Sequence, residues 1–301
     1  SSRNTRGSSR PAAGCALIAA LAAAPAFAAD VTKQRLENAD ADPNNWITVF
    51  QNYSSHRYSR LNQINRSNVA NLKVAYTVPL TSALVGSKTA SLNLENGVLI
   101  DDGMLYADDA WGGIYKIDAR PGPNEGTIVW FADAGMSKDE DPRTRGIAMW
   151  GNNVYKDLVD GRVIAVNRDN GEVVWDKQIA RVAHPKSSGL NLAAEGYTAA
   201  PIAVEGKILV GQAWGDRATR GFLTAVDAAT GNEAWRTYTI PAPGEKGHET
   251  WKDDHNAWKT GGGGMWTTGS YDTQQRVTIW GTGQPVPMFD PQFRPRDNLY
   301  S

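Results

Sequence analysis

The chain has 301 residues and a formal net charge of −1 at pH 7, so it offers no broad basic surface for nucleic acid or an anionic membrane. Its four histidines and single cysteine argue against a zinc-cluster protein, and one cysteine cannot form a disulfide within the chain. Eleven tryptophans and 30 glycines, with few helix-like patterns, favour a repetitive all-β protein.

The first 28 residues have the pattern of an export signal. Three arginines and no acidic residue lie between Ser1 and Arg10, an apolar stretch covers Cys15 to Phe27, and Ala26 to Ala28 forms a small-x-small cleavage site. Because the apolar stretch is too short to cross a membrane as a helix, we expect no membrane span in the mature chain. Residues 1–28 are therefore predicted to be removed, and residues 29–301 to form the folded domain.

A motif of strand, tight turn and aromatic strand recurs along the chain. Ala165-x-Asn167-x-x-Asn170-Gly171-x-x-x-Trp175 returns as Ala225-x-Asp227-x-x-Thr230-Gly231-x-x-x-Trp235. Asp118 to Trp130 is a looser copy, and Asn68 to Tyr76 is a degenerate one that ends as a strand entering the core. The acidic or amide residue can cap the turn, and glycine takes its positive-φ position. We expect each aromatic side chain to dock between neighbouring sheets.

Short apolar strands flank these turns, and acidic-glycine pairs join several of them as hairpins. Examples of the hairpins are Ile100 to Met104 and Val204 to Lys207. One unit therefore contains four antiparallel strands, and repeated four-stranded sheets are typical of the blades of a β-propeller.

Four consecutive glycines, Gly261 to Gly264, precede Trp266, and a strand-like run from Thr278 to Pro285 follows. Backbone without Cβ atoms allows close approach, so this segment is a candidate floor for a planar ligand. The alternative is a glycine-rich loop before a core tryptophan.

Taken together, these motifs resemble the pyrroloquinoline quinone (PQQ) dependent alcohol dehydrogenases, the methanol and ethanol dehydrogenase group. The resemblance rests on the tryptophan repeats and on segments that occur in the family's order: Arg57 to Ser59, Gln63 to Asn65, Gly261 to Trp266, Gly281 to Pro285 and Arg294 to Asn298. It implies an eight-bladed propeller with the quinone on its axis, of which this chain is about the N-terminal half.

The resemblance also implies a role for individual residues. Trp266 matches the tryptophan beneath the quinone, and Gly264 matches a neighbouring position that contacts the cofactor. Glu95 matches the glutamate at the polar edge of the cofactor, and Thr198 matches a hydroxyl donor. Arg145 matches an arginine that pairs with the cofactor carboxylates, which suits a bidentate guanidinium.

The metal ligands implied by the resemblance are altered. Asp216 stands where the family has glutamate, and Gln284 stands where it has asparagine. One ligand is a methylene shorter and the other a methylene longer, so a calcium or lanthanide ion is retained only if it shifts toward Asp216. The alternative is a site that has lost its metal. Asp139 and Glu140 occupy the region where some members place adjacent cysteines.

The resemblance implies a periplasmic enzyme that oxidises an alcohol, passes electrons to cytochrome c and forms a homodimer when complete. The family's catalytic aspartate is expected beyond Ser301, so no catalytic residue is assigned here and the isolated chain is expected to be inactive. The alternative is a non-catalytic propeller scaffold of the periplasm.

A metal site at His248, Glu249 and His255 is disfavoured. These residues lack the helical spacing of metalloprotease ligands, and a solvated polar loop explains them.

Overall fold

The computed structural model describes residues 29–80, 93–137, 140–180, 195–251 and 255–301. The predicted signal segment lies outside these ranges. In chain order the strands are β1 (Asn93–Leu94), β2 (Leu99–Asp101), β3 (Met104–Asp108), β4 (Gly113–Asp118), β5 (Thr127–Asp133), β6 (Arg143–Thr144), β7 (Ala148–Trp150), β8 (Asn153–Asp157), β9 (Arg162–Asn167), β10 (Val173–Gln178), β11 (Ile202–Val204), β12 (Lys207–Gly211), β13 (Phe222–Asp227), β14 (Glu233–Tyr238), β15 (Ser270–Asp272) and β16 (Val277–Ile279).

Helical structure in the described residues is short. The α-helix α1 covers Lys33–Glu37, and single turns of 3-10 helix cover Ala39–Ala41, Val69–Asn71, Gly215–Arg217, His248–Trp251, Ala257–Lys259 and Pro291–Phe293. Across the described ranges, no helix has the length and apolar character needed to cross a membrane.

Three four-stranded antiparallel sheets follow one another, and each is a meander of consecutive strands: β2 to β5, β7 to β10 and β11 to β14. The hairpins are tight because both central residues take positive φ, as at Glu205 (48°) and Gly206 (78°). This turn matches the twist of the flanking strands. The strands β15 and β16 form a separate hairpin. Repeated four-stranded meanders confirm the predicted blades of a β-propeller.

Aromatic side chains join one blade to the turn of the next. Trp130 donates its indole N–H to the carbonyl of Arg168 at 3.0 Å, and Trp175 donates to Ala228 at the same distance. Each ring covers a turn glycine so closely that a Cβ there would come within 2.9 Å of the ring at Gly171 and 2.7 Å at Gly231. Both tryptophans are buried. The predicted docking is therefore confirmed for Trp130 and Trp175, where only glycine fits beneath the ring, but Trp235 is 39% exposed on the outer strand β14.

Two predictions about strands need correction. Residues 72–80 form no strand, because their backbone finds no partner in the described residues; Val74 is 82% exposed, and Tyr76 still covers Gly126. The run after Thr278 leaves the sheet at Ile279, because its backbone turns to the glycine loop, where Gly283 donates to the carbonyl of Gly264 at 2.8 Å. Both segments thus serve contacts outside the blades.

Candidate cofactor and metal site

A short parallel strand pair brings the first two predicted site residues together. β1 pairs with β6, and the N–H of Glu95 continues the pairing to the carbonyl of Thr144 at 3.1 Å. The Glu95 carboxylate then lies 2.6 Å from the Arg145 guanidinium. Arg145 also donates to Thr198, at 2.7 Å to the hydroxyl and 3.2 Å to the carbonyl. Three residues far apart in sequence therefore form one polar cluster.

Trp266 completes this cluster. The guanidinium carbon of Arg145 lies 5.0 Å from the centre of the Trp266 ring, within the range of a cation–π contact. The ring is 47% exposed, which is unusual for so large an apolar side chain beside a half-buried arginine. An exposed ring with a cation at its side fits a planar ligand that carries carboxylates.

The glycine loop brings three backbone segments close together at Gly264. A Cβ on Gly264 would lie 3.2 Å from the nitrogen of Gly215, and the carbonyl of Gly264 accepts the N–H of Gly283. At the neighbouring Gly221 a Cβ would overlap the carbonyl of Gly263. The loop is thus a close-packed support for Trp266, and Gly264 lies between the segments that carry Asp216 and Gln284.

The two predicted metal ligands meet at the surface. The amide nitrogen of Gln284 lies 2.5 Å from a carboxylate oxygen of Asp216 and 3.1 Å from the sulfur of Met288. Both residues are exposed, and Asp216 sits in a turn between Trp214 and Ala218, which both take positive φ. Rotation of the Gln284 amide would present its oxygen beside the carboxylate, and these are two donors that a hard cation prefers.

Two oxygen donors do not complete such a site, because calcium-type ions take 6–8 oxygen ligands. No group of three or more His, Cys, Asp or Glu side chains able to hold a metal occurs among the described residues. The pair fits part of a coordination sphere. The described residues His248, Glu249 and His255 form no such group, and His255 stacks on Phe293 with 4.4 Å between the ring centres.

A buried polar network lies behind the Glu95 and Arg145 segments. The Asp108 carboxylate accepts hydrogen bonds from Lys156, Thr144 and Asn96, and Lys156 also donates to the Thr144 hydroxyl at 2.8 Å. The side chains of Asp108 and Lys156 are 0% and 2% exposed. Because Asn96 follows Glu95 and Thr144 precedes Arg145, this network fixes both segments from the interior.

Asp157 is a second buried carboxyl beside this network. The pKa of Asp157 is raised to about 8, chiefly by burial and also by the charge of Asp108, while Lys156 and Arg145 oppose the shift. One of its carboxyl oxygens is buried without a hydrogen-bond partner. Asp157 is therefore mostly protonated at neutral pH.

An open cavity of about 1020 Å³ adjoins the polar cluster. Glu95 and Arg145 line it together with residues that flank the candidate floor: Trp46, Phe50, Arg57, Thr267, Thr268 and Gly269. This volume is far larger than a small alcohol and slightly above the range of roughly 300–1,000 Å³ that is usual for ligand pockets.

Three features close to these residues could not be assigned from the motifs above: Arg143, the Trp214 ring 5.5 Å from its guanidinium carbon, and the Asp108–Lys156 pair. Arg143 could have been found from Arg143-Thr144-Arg145, since alternate residues of a strand share one face. No local signal marks Trp214 or the buried pair, because their contacts depend on segments distant in sequence.

These observations define a β-propeller with a candidate site for a planar, carboxylate-bearing ligand. The sequence profile described as "Glucose/ethanol/alcohol dehydrogenase, beta-propeller domain" matches residues 46–301. The chain therefore belongs to the PQQ-dependent alcohol dehydrogenase family, and the resemblance seen in the sequence is confirmed.

Individual relatives agree with this assignment. The quinohemoprotein alcohol dehydrogenase ADH-IIG of Pseudomonas putida is 32% identical over 95% of this chain and 40% of its own length. The methanol dehydrogenase [cytochrome c] subunit 1 of Methylobacterium organophilum is 29% identical over 94% of this chain and 47% of its own. A europium-containing methanol dehydrogenase superposes with a TM-score of 0.75 at 27% identity, covering 89% of this chain and 47% of that one. The chain thus spans less than half the length of these proteins.

Proposed function

We propose that this chain supplies the quinone floor and part of the metal site of a periplasmic enzyme that oxidises an alcohol with PQQ. The observation that carries the proposal is the convergence of Glu95, Arg145, Thr198 and Trp266, which come from four separate segments of the chain. When bound, the quinone supplies the two-electron acceptor for the alcohol.

Each residue has a definite task in this proposal. Arg145 binds a cofactor carboxylate as a charge-assisted hydrogen-bond donor, and the Thr198 hydroxyl holds the guanidinium in place. Glu95 keeps Arg145 oriented and reaches the polar edge of the cofactor. The exposed face of Trp266 stacks against the planar rings, and the close-packed glycine loop that includes Gly264 supports the segment that carries this tryptophan.

Asp216 and Gln284 are proposed as two ligands of a calcium or lanthanide ion. Support comes from their direct contact and from the europium held by a protein of the same fold. The remaining ligands and the general base that accepts the alcohol proton are expected outside this chain. Cytochrome c as electron acceptor and a homodimer of the complete enzyme also belong to the proposal, and the former agrees with the name of the Methylobacterium organophilum relative.

A non-catalytic scaffold would need only the blades and their docking tryptophans. It would not need an exposed tryptophan beside an arginine, or a carboxylate and amide held together at the surface. We therefore prefer the enzyme.

The test begins by sequencing the gene past codon 301 and producing the longest continuous protein. We expect PQQ together with calcium or lanthanum to restore dye-linked alcohol oxidation, with neither sufficient alone. Absence of quinone binding in equilibrium dialysis would refute the proposal and favour the scaffold.

A matched pair of variants locates the floor. Trp266→Ala should weaken PQQ binding about tenfold, since stacking on one aromatic ring contributes roughly 1–3 kcal/mol. Trp235→Ala removes a similarly exposed ring (39% against 47%) from the outer strand β14 and should leave binding unchanged. Equal effects of the two variants would contradict the assignment of Trp266.

A further inference from the structure

Arg143 is a half-buried cation without an acceptor in the described residues. It lies two positions before Arg145 at the start of β6, so both side chains leave the same face of the strand. Its Nε atom is buried and has no hydrogen-bond partner, and no carboxylate pairs with its guanidinium in the part of the chain that the structure describes. The guanidinium carbon of Arg143 instead lies 5.5 Å from the centre of the Trp214 ring, within the range of a cation–π contact.

Two further arginines surround this position. Arg217 stacks on the same Trp214 ring that Arg143 contacts, with its guanidinium carbon 3.7 Å from the ring centre. Burial lowers the pKa values of Arg145 and Arg217, and the charge of Arg143 lowers both further. These two arginines already have carboxylate partners, Glu95 at 2.6 Å and Asp141 at 3.1 Å.

A half-buried guanidinium whose Nε has no hydrogen-bond acceptor costs free energy of desolvation unless an acceptor joins it. Its location identifies that acceptor. Arg143 lies between Arg145, at one end of the proposed quinone site, and the turn that carries Trp214 and Asp216, at the other. We propose that Arg143 is a second carboxylate-binding residue of this site, a role that rests on the proposed function.

The carboxylate has two possible sources with the same chemistry. It belongs either to the quinone, so that Arg143 shares cofactor binding with Arg145, or to an alcohol substrate that carries a carboxylate, such as a hydroxy acid. In both cases the Arg143 guanidinium, which lies beside the Trp214 ring, would bind the carboxylate in a bidentate manner.

The experiment compares Arg143→Met and Arg143→Lys with a matched control, Arg236→Met. Arg236 also stacks on an aromatic ring, Phe222 at 4.0 Å, and its Nε also lacks a partner, but Glu233 already pairs with its charge at 2.7 Å. PQQ affinity is measured by equilibrium dialysis, and thermal unfolding is followed without quinone.

We expect Arg143→Met to weaken PQQ binding about tenfold or more, with Arg143→Lys between it and the unaltered protein and Arg236→Met unchanged. Because Arg143→Met removes an unpaired charge, its unfolding temperature without quinone should not fall. A fall larger than that of Arg236→Met, with unchanged ligand discrimination, would assign Arg143 a structural role and overturn the proposal.

A second arm separates the two sources of the carboxylate. Dye-linked oxidation of lactate is compared with that of propan-2-ol, which has the same secondary hydroxyl but a methyl group in place of the carboxylate. Unchanged PQQ affinity with an about tenfold loss of preference for lactate assigns Arg143 to the substrate. If neither property changes, the inference fails although the proposed function stands, whereas absence of PQQ binding in the unaltered protein defeats both.

Discussion

The two ends of the proposed cofactor site are built in opposite ways. At the arginine end, Arg145 rests on the buried Asp108–Lys156 network, whose side chains are almost fully removed from solvent. At the other end, where we propose a metal, Asp216 and Gln284 meet on exposed turns and lie 2.5 Å apart. The arginine end is fixed by contacts in the protein interior, whereas the end with Asp216 and Gln284 is exposed to solvent.

This difference decides how well each end tolerates amino-acid substitutions. A buried ion pair leaves an uncompensated charge when one partner is removed, so the arginine end couples cofactor binding to folding. An exposed pair loses little on substitution, because water replaces the missing partner. The residues that depart from the family pattern, Asp216 and Gln284, lie at the tolerant end.

The largest effect is expected from breaking the buried pair. Lys156→Met should lower the free energy of unfolding by about 3–5 kcal/mol, because it leaves the Asp108 carboxylate buried without its cation. Adding Asp108→Asn to this variant should recover part of the loss. Chemical denaturation with both variants measures the two values.

Lys116→Met is the matched control for Lys156. Lys116 is also buried, but its amine donates to the carbonyl of Arg168 at 2.9 Å, so its loss leaves no buried charge. We expect a smaller cost of about 1 kcal/mol. If Lys156→Met costs no more than Lys116→Met, the arginine end is not built on a buried ion pair.

A smaller and pH-dependent effect is expected from Asp157. Its pKa rises from 3.8 to about 8 in the folded protein, so between these values the folded state binds the proton that the unfolded state has lost. The free energy of unfolding therefore falls as pH rises through this window, by up to about 1.4 kcal/mol per pH unit. Asp157→Asn should flatten that slope when denaturation is measured from pH 5 to 8.

Asp227→Asn provides the opposite case. The hydrogen bond from Thr230 lowers the pKa of Asp227, so its contribution is complete above the ordinary value of 3.8 and is lost as pH falls below it. Its replacement should leave the slope between pH 5 and 8 unaltered. A slope that persists in Asp157→Asn would show that another group releases the proton.

The blades could be predicted from the sequence because their signals are local. A turn glycine and a tryptophan four residues later carry both the strand boundary and the docking contact, as at Gly171 and Trp175. The exposed run after Leu72 was predicted as a strand for the same local reason and is not one. A strand needs a partner, and pairing depends on where the rest of the chain lies.

The candidate site could be predicted only where family motifs mark it. Glu95, Arg145, Thr198 and Trp266 lie together as the resemblance implies, and Asp216 lies beside Gln284. The buried network behind them could not be predicted, because Asp108, Thr144 and Lys156 come from three strands whose apolar neighbours give no sign of a polar interior.

The smallest effect on stability is expected at the proposed metal end, where function and stability should separate. Asp216→Asn should change the free energy of unfolding by no more than about 0.5 kcal/mol, because the residue is exposed. It should nevertheless weaken calcium or lanthanum binding about tenfold, since a hard cation depends on carboxylate charge. Asp102→Asn, an exposed change in a hairpin remote from the site, serves as the control in calorimetric titration. Equal metal affinity in both variants would mean that the shortened acid no longer holds a metal, and the open end would then be a surface hydrogen bond only.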